Sequence, residues 1–315
     1  MLPEDTKVTM GNYFHMTSRA KLLFFLEPGT RFLHLFDLKN LKITLPTICD
    51  NGATIQHSVD LKQVSLEISF DIPYNHASIC TPDGRIIMTG GVNDGVWFNF
   101  VYELDEKKKG LMPRKPMNHK RSSHTICMMN DDYLLVVGGE NGSNLLRSCE
   151  KFNLTNHSWS LIADCNYELP DASICNYNNR YVYRFGKTKT NCIERYSIEK
   201  NVWTPISVQI KFPLGTNCES CQINENGILI FGGDSSLGRV DDCFLFKINE
   251  EYDEENRLIG GPNEKLHKLT DIKLCEKLYF HCPKSALIYD RNLFAVDYGK
   301  QKIVKFNGEV WVALN

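Results

Sequence analysis

Long apolar runs are missing from this 315-residue chain. The apolar run Leu22–Leu26 is far shorter than the roughly 20 residues that a membrane-spanning helix needs. The start, MLPEDTK, lacks the basic-then-apolar order of a secretory leader. An excess of one charge is missing too. The 36 Lys and Arg against 38 Asp and Glu leave a formal net charge of −2, with no global pull toward nucleic acid or acidic membranes. No tract reads as a convincing long helix, although Asp50–Phe70 and Asn249–Tyr279 have room for one. GGENGS (Gly138–Ser143) lacks the lysine and following helix of a phosphate-cradling loop. No nucleophile, base and orienting residue can be assembled from spacing, so no catalytic residue and no cofactor is expected. The twelve cysteines then read as thiols in a reducing compartment, the cytoplasm, with a secreted disulfide scaffold as the alternative.

What is present is a doubled glycine that returns at the end of a short apolar strand. The copies are RIIMTGG (Arg85–Gly91), YLLVVGG (Tyr133–Gly139) and ILIFGG (Ile228–Gly233), with a worn copy, YVYRFG, at Tyr181–Gly186. Cysteines accompany them: Cys80, Cys127, Cys175 and Cys221 stand 47, 48 and 46 residues apart. Such a period means small sheets stacked in a ring, each packing on its neighbours. It fits a repeat of about 50 residues slightly better than the roughly 40–45 of Trp-Asp repeats, and no Trp-Asp dipeptide occurs. Apolar runs of strand length bounded by Asn, Asp and Gly give four strands per unit. The third unit is the cleanest, with His124–Met129, Tyr133–Val137, Leu146–Asn153 and His157–Ile162.

Each copy adds an aromatic residue before a small turn and, in the best copies, a tryptophan some residues later. These are Gly138, Gly139, Phe152 and Trp159 in the third unit, and Gly186, Tyr196 and Trp203 in the fourth. The second has Gly90, Gly91 and Tyr102; the fifth has Gly232, Gly233 and Phe246; the sixth has Phe306 and Trp311; the first keeps Phe36. In this pattern the chain resembles the kelch-repeat family over nearly its whole length. The resemblance implies an all-β, six-bladed propeller with four antiparallel strands per blade. Blades are expected near 8–50, 74–115, 120–165, 170–210, 215–272 and 280–315, with insertions at 50–71 and 249–264. Closure would rest on packing alone, or on Lys7–Met10 adding an outer strand to the last blade.

The chemistry-bearing residues have plain readings beside sharper ones. The four repeat cysteines suit a small buried apolar slot, since free cysteine behaves that way. Cys218 and Cys221 have zinc-like spacing but lack a second pair, so no metal is expected. His76 and His124 open the first strands of their units and are expected to bond loop carbonyls.

In kelch propellers the loops between second and third strands share a face with the blade-to-blade linkers, and that face commonly binds the partner. Here those loops are Val92–Phe98, Glu140–Arg147, Lys187–Asn191 and Asp234–Val240. Trp97 and Phe98, beside a flexible Asn-Asp-Gly, are candidate anchors. Arg114, Lys115, Lys120, Arg121, Arg147 and Arg239 are candidate rim charges, which would suit an acidic or phosphorylated peptide. The segment 50–71 is expected as a flap on that face, and the acidic NEEYDEEN (Asn249–Asn256) as a loop on the other.

The expectation is a protein–protein interaction module, scaffold or adaptor, with a protein or peptide partner and neither nucleic acid nor membrane. The alternatives are a small-ligand or enzymatic propeller using the channel mouth, and a structural part of a cytoskeletal assembly. The first alternative predicts unpaired buried polar groups near His76 and His124. Many members of the resembled family carry a BTB or F-box region linking them to ubiquitin ligases; none is expected within these 315 residues.

Overall fold

The computed structural model describes residues 69–105, 110–187, 191–207, 217–235, 242–250 and 262–273, with shorter pieces at 22–26, 28–37, 42–43, 59–60, 63–67, 238–239, 287–289, 292–297, 302–306 and 311–314. Every regular element among them is a strand. They form one three-stranded and five four-stranded antiparallel sheets, plus three two-stranded pairs. The first sheet holds Leu22–Leu26, Phe32–Asp37 and Gln63–Glu67. The second holds Ala77–Cys80, Ile86–Thr89, Val101–Asp105 and Gly110–Arg114. The third holds Thr125–Met128, Tyr133–Val137, Cys149–Asn153 and Ser158–Ile162. The fourth holds Ser173–Tyr177, Tyr181–Lys187, Asn191–Ser197 and Val202–Pro205. The fifth holds Glu219–Asn224, Gly227–Phe231, Asp242–Asn249 and Asn263–Lys273. The sixth holds Leu287–Tyr289, Asn292–Asp297, Lys302–Phe306 and Trp311–Leu314.

First strands of consecutive sheets are spatial neighbours from the second to the fifth sheet. Leu22–Leu26 lies beside both Ala77–Cys80 and Asn292–Asp297, which brings the two ends of the chain's sheet series together. This is the arrangement of a propeller. The sixth sheet draws all its strands from 287–314; Lys7–Met10 and the expected first strand at Asn12–Thr17 lie outside the described residues.

Two expectations need correction. Gln63–Glu67, inside the stretch read as an insertion, pairs with Phe32–Asp37 as a strand. Its alternation of Val64 and Leu66 with polar residues was masked by the surrounding polar tract. Tyr102 does not occupy the aromatic position of Phe152 and Tyr196. Phe152 faces Trp159 and also Leu134, which lies four residues before Gly138; Tyr196 faces Trp203 and Val182 in the same register. The strands of the second sheet place Leu104 and Leu111 there, since Tyr102 faces Met88 and Pro113.

The sheets are fastened at one end by a backbone collar. Asn75, Ser123, Asp171 and Asn217 each precede a first strand and each has positive φ, between 51° and 57°. Ser123 N donates to Asn75 O, Asp171 N to Ser123 O and Asn217 N to Asp171 O, each at 2.9 Å. Beside the collar, Tyr74 bridges Val92, and Ser122 bridges Glu140. Gly91 and Gly139, the second glycines of their pairs, are squeezed there. A Cβ on Gly139 would lie 2.3 Å from Ser122 O, and Gly139 itself has φ +87°. This crowding is what the repeated glycine accommodates.

The tryptophans clamp blade to linker. Trp159 packs on Phe152, and its Nε1 donates to Lys115 O at 2.8 Å. Trp203 packs on Tyr196, and its Nε1 donates to Ala163 O at 3.0 Å. Each indole thus fills the wedge between sheets while its polar tip holds the linker that enters its own blade.

Candidate functional site

On the collar face, the loops of the second and third sheets form one contiguous surface. Val92–Asn93 pairs with Val96–Trp97, leaving Asp94 and Gly95 as a two-residue turn with φ of 49° and 73°. Positive φ at both turn positions marks the type I′ hairpin that Asp-Gly favours. The Asn-Asp-Gly expected as flexible is therefore a defined hairpin tip. An equivalent hairpin, Asp234–Ser235 with Gly238–Arg239, follows the glycine pair of the fifth sheet and places Arg239 opposite Asp234.

Trp97 is half-buried. Its Nε1 donates to Ser122 Oγ at 3.0 Å, and its ring lies against Gly142 of the next blade's loop. Phe98 stacks on Phe100 at 4.9 Å and so joins a row that continues to Tyr102 and Phe70. The most exposed apolar side chains around them are Tyr74, Val96 and Leu145, at 55%, 50% and 42%. They are linked through the structure. Tyr74 bridges Val92, Val96 tops the hairpin, and Leu145 bridges Glu140 beside Trp97's partner Ser122. Sequence reasoning missed these three, because an isolated apolar residue in a polar loop gives no periodic signal.

The rim charges divide. Lys115, Lys120 and Arg147 are exposed. Arg114 is half-buried and its Nε donates to Glu103 at 2.9 Å. Arg239's side chain and residues 188–190 lie outside the description. Arg121 was expected on the surface and is not there: it is fully buried and paired with the fully buried Glu150 at 2.7 Å. Its Nη1 also donates to Gly138 O and Ser148 O, at 2.7 and 3.0 Å. Glu150 in turn accepts from the backbone N–H groups of Asn118 and His119. Arg184 and Glu194 repeat the device one blade on, both fully buried and 2.9 Å apart. A basic residue in a KR-rich linker reads as solvated until its carboxylate, 29 residues later, is brought beside it.

His76 and His124 are fully buried at the inner end of this face. His76 Nδ1 donates to Pro73 O at 2.7 Å, and His124 Nε2 lies 2.8 Å from Thr89 Oγ1. Burial lowers the pKa of His76 from 6.5 to about 4, against the raising effect of the Pro73 bond. Burial, then Arg121 and His76, push His124 down as well. Neutral His76 therefore favours folding at neutral pH. Below 6.5 the unfolded chain takes up a proton that the folded chain refuses, so stability falls with acidification. From His76 alone the loss should be about 2 kcal/mol between pH 7 and pH 5. Urea midpoints at both pH values should show it, with a shallower pH dependence in His76→Gln. An equal dependence in that variant would remove His76 as the cause. His76 Nε2, Ser78 Oγ, His124 Nδ1 and Thr125 Oγ1 are buried and have no hydrogen-bond partner among the described residues. Among the described residues, no three His, Cys, Asp or Glu side chains are grouped to hold a metal ion.

Residues 120–166, the third sheet and its linker, match the Kelch motif. The chain is 23% identical over 240 residues to Kelch repeat and BTB domain-containing protein 2 of cowpox virus (strain Brighton Red), covering 69% of this chain and 42% of that protein. Over 153 residues it is 24% identical to Kelch repeat and BTB domain-containing protein F47D12.7 of Caenorhabditis elegans, covering 45% of this chain and 26% of that protein. The chain thus spans less than half the length of these curated relatives. Among solved structures, the one titled Structure of YjhT superposes with a TM-score of 0.62 at 12% identity, covering 94% of both chains. That likeness concerns the fold.

Proposed function

We propose that this chain, a member of the kelch-repeat family, is a protein-recognition module that catalyses no reaction. Its ring is read as six blades, one for each of the larger sheets. The partner docks on the collar face, across the loops of the second and third sheets. The observation that carries this reading is the exposure of Tyr74, Val96 and Leu145 on backbone-bridged loops that flank half-buried Trp97. Its scaffold is backbone-bridged and hairpin-closed, so the surface is pre-organised and little ordering opposes binding. Lys115, Lys120 and Arg147 favour a partner with acidic groups nearby.

The twelve cysteines read as thiols of a reducing compartment, which makes the cytoplasm the proposed location. No helix among the described residues is long and apolar enough to cross a membrane.

The test is capture of partners from native extract with the wild-type chain and with a Val96→Asp/Leu145→Asp variant. Both side chains are exposed, so the fold should persist. Partners bound by the wild type should be lost by more than tenfold in the variant. Equal recovery would sink the assignment of this face.

A second reading has its own observation. The unpartnered buried atoms of His76, Ser78, His124 and Thr125 would suit a small polar ligand at the inner end of the channel. That reading predicts a ligand-dependent rise in thermal midpoint that His124→Phe abolishes while the capture profile stays intact.

A further inference from the structure

Two cysteines that the recognition surface does not use stand together beneath it. Cys149 lies in the third strand of the third sheet. Cys165 lies in the linker to the fourth, between exposed Asp164 and Asn166. Both are buried and free. Their sulfurs converge on one carbonyl: Cys149 Sγ is 3.3 Å and Cys165 Sγ 3.2 Å from Arg147 O. The two thiols also influence one another's ionisation. A third group points at them. Nη1 of the fully buried Arg184 donates to Cys165 Sγ at 3.1 Å, while it also holds Tyr167 O and Glu194. A guanidinium is a poor neighbour for an inert thiol and a good one for a thiolate. Cys149, and then Arg184, lower the pKa of Cys165, while burial raises that of Cys149. The pair is therefore asymmetric, with one sulfur favoured as attacking thiolate and the other held as neutral thiol.

We propose that Cys149 and Cys165 are a redox pair that closes to a disulfide under hydrogen peroxide. In the first step the Cys165 thiolate attacks one peroxide oxygen. The O–O bond breaks and the leaving hydroxide takes a proton to become water, leaving a sulfenic acid. In the second, Cys149 sulfur attacks the sulfenic sulfur, the S–O bond breaks, and the departing hydroxide takes the Cys149 proton as a second water. Two thiols lose two electrons and peroxide gains them. Exposed neighbours on both sides of Cys165 let a small uncharged oxidant reach it through a local opening of the linker. The bond staples the linker to the strand just past Arg147, the last residue of the loop that carries Leu145. The redox state is thereby coupled to the rigidity of the recognition face.

The test uses the whole folded chain. It is treated with hydrogen peroxide, its remaining thiols are blocked with N-ethylmaleimide in urea, and its unreduced peptides are mapped by mass. The expected result is a Cys149–Cys165 cross-linked peptide that is two hydrogens lighter and is split by dithiothreitol. Cys165→Ser should give no cross-link, and Cys149→Ser should leave a Cys165 sulfenic acid that dimedone traps. The proposal is overturned by a cross-link from Cys165 to another cysteine such as Cys192. It is equally overturned by higher oxides of Cys165 without a cross-link, or by both thiols staying reduced.

Discussion

Arg121→Ala should destabilise the chain by about 3–5 kcal/mol, seen as a large fall in the urea midpoint. The loss does not come from the attraction alone. Truncation strands Glu150, fully buried, with its negative charge uncompensated. It also leaves Gly138 O and Ser148 O without the Nη1 donor. A buried charge without its partner is the costly state, far more than a well-packed apolar pair in the same space. The double change Arg121→Met/Glu150→Leu should therefore recover a substantial part of the loss. Recovery should stop short of complete, because the N–H groups of Asn118 and His119 lose their carboxylate acceptor. If the single and double variants proved equally stable, and both close to wild type, the linker would be held by packing and the ion pair would be incidental.

Trp203→Ala should cost a similar amount, about 3–5 kcal/mol, because it empties a large volume between the third and fourth sheets. The indole belongs to a cluster with Val137, Cys149, Cys165 and Tyr196, so its removal unpacks two blades at once. Trp203→Phe separates the two contributions. It keeps most of the ring volume against Tyr196 but removes the Nε1–H that Ala163 O accepts. That loss should be about 1 kcal/mol for the hydrogen bond, with a further decrement for the smaller ring. Thermal and urea unfolding of both variants would measure it. A Phe variant as damaged as the Ala variant would mean that the linker clamp, not the wedge filling, dominates.

The parts of this architecture that are periodic were readable in advance. Gly90, Gly91, Gly138, Gly139, Gly232 and Gly233 all take positive φ. Sterics at each copy demand the same residue, so the demand repeats in the sequence. Trp159 and Trp203 sit where the period places them because each fills the same wedge. The readings that failed depended on long-range pairing. Tyr102 is an aromatic residue near the right spacing, but register decides position, and the register of Val101–Asp105 gives that place to Leu104. Arg121 sits in a run of basic residues that looks solvated, and only folding brings Glu150 against it. Trp97 is legible as a tryptophan in a loop beside Asn-Asp-Gly; Tyr74, Val96 and Leu145 follow no period, and nothing local marks them. The same holds for Cys149 and Cys165, which lie outside the repeat set of Cys80, Cys127, Cys175 and Cys221 and meet only where the linker folds back beside a strand.

The collar through Asn75, Ser123, Asp171 and Asn217 is built from peptide groups, and its four positions carry three kinds of side chain. Every one of its bonds runs the same way, from the later blade back to the earlier. Such a joint is blind to side-chain identity and asks only for a residue that tolerates left-handed backbone. Gene duplication could therefore rewrite each copy's loops without disturbing the spacing of its neighbours. It also gives this arc of the ring a direction, since the peptide dipoles along its three bonds run the same way instead of cancelling in pairs.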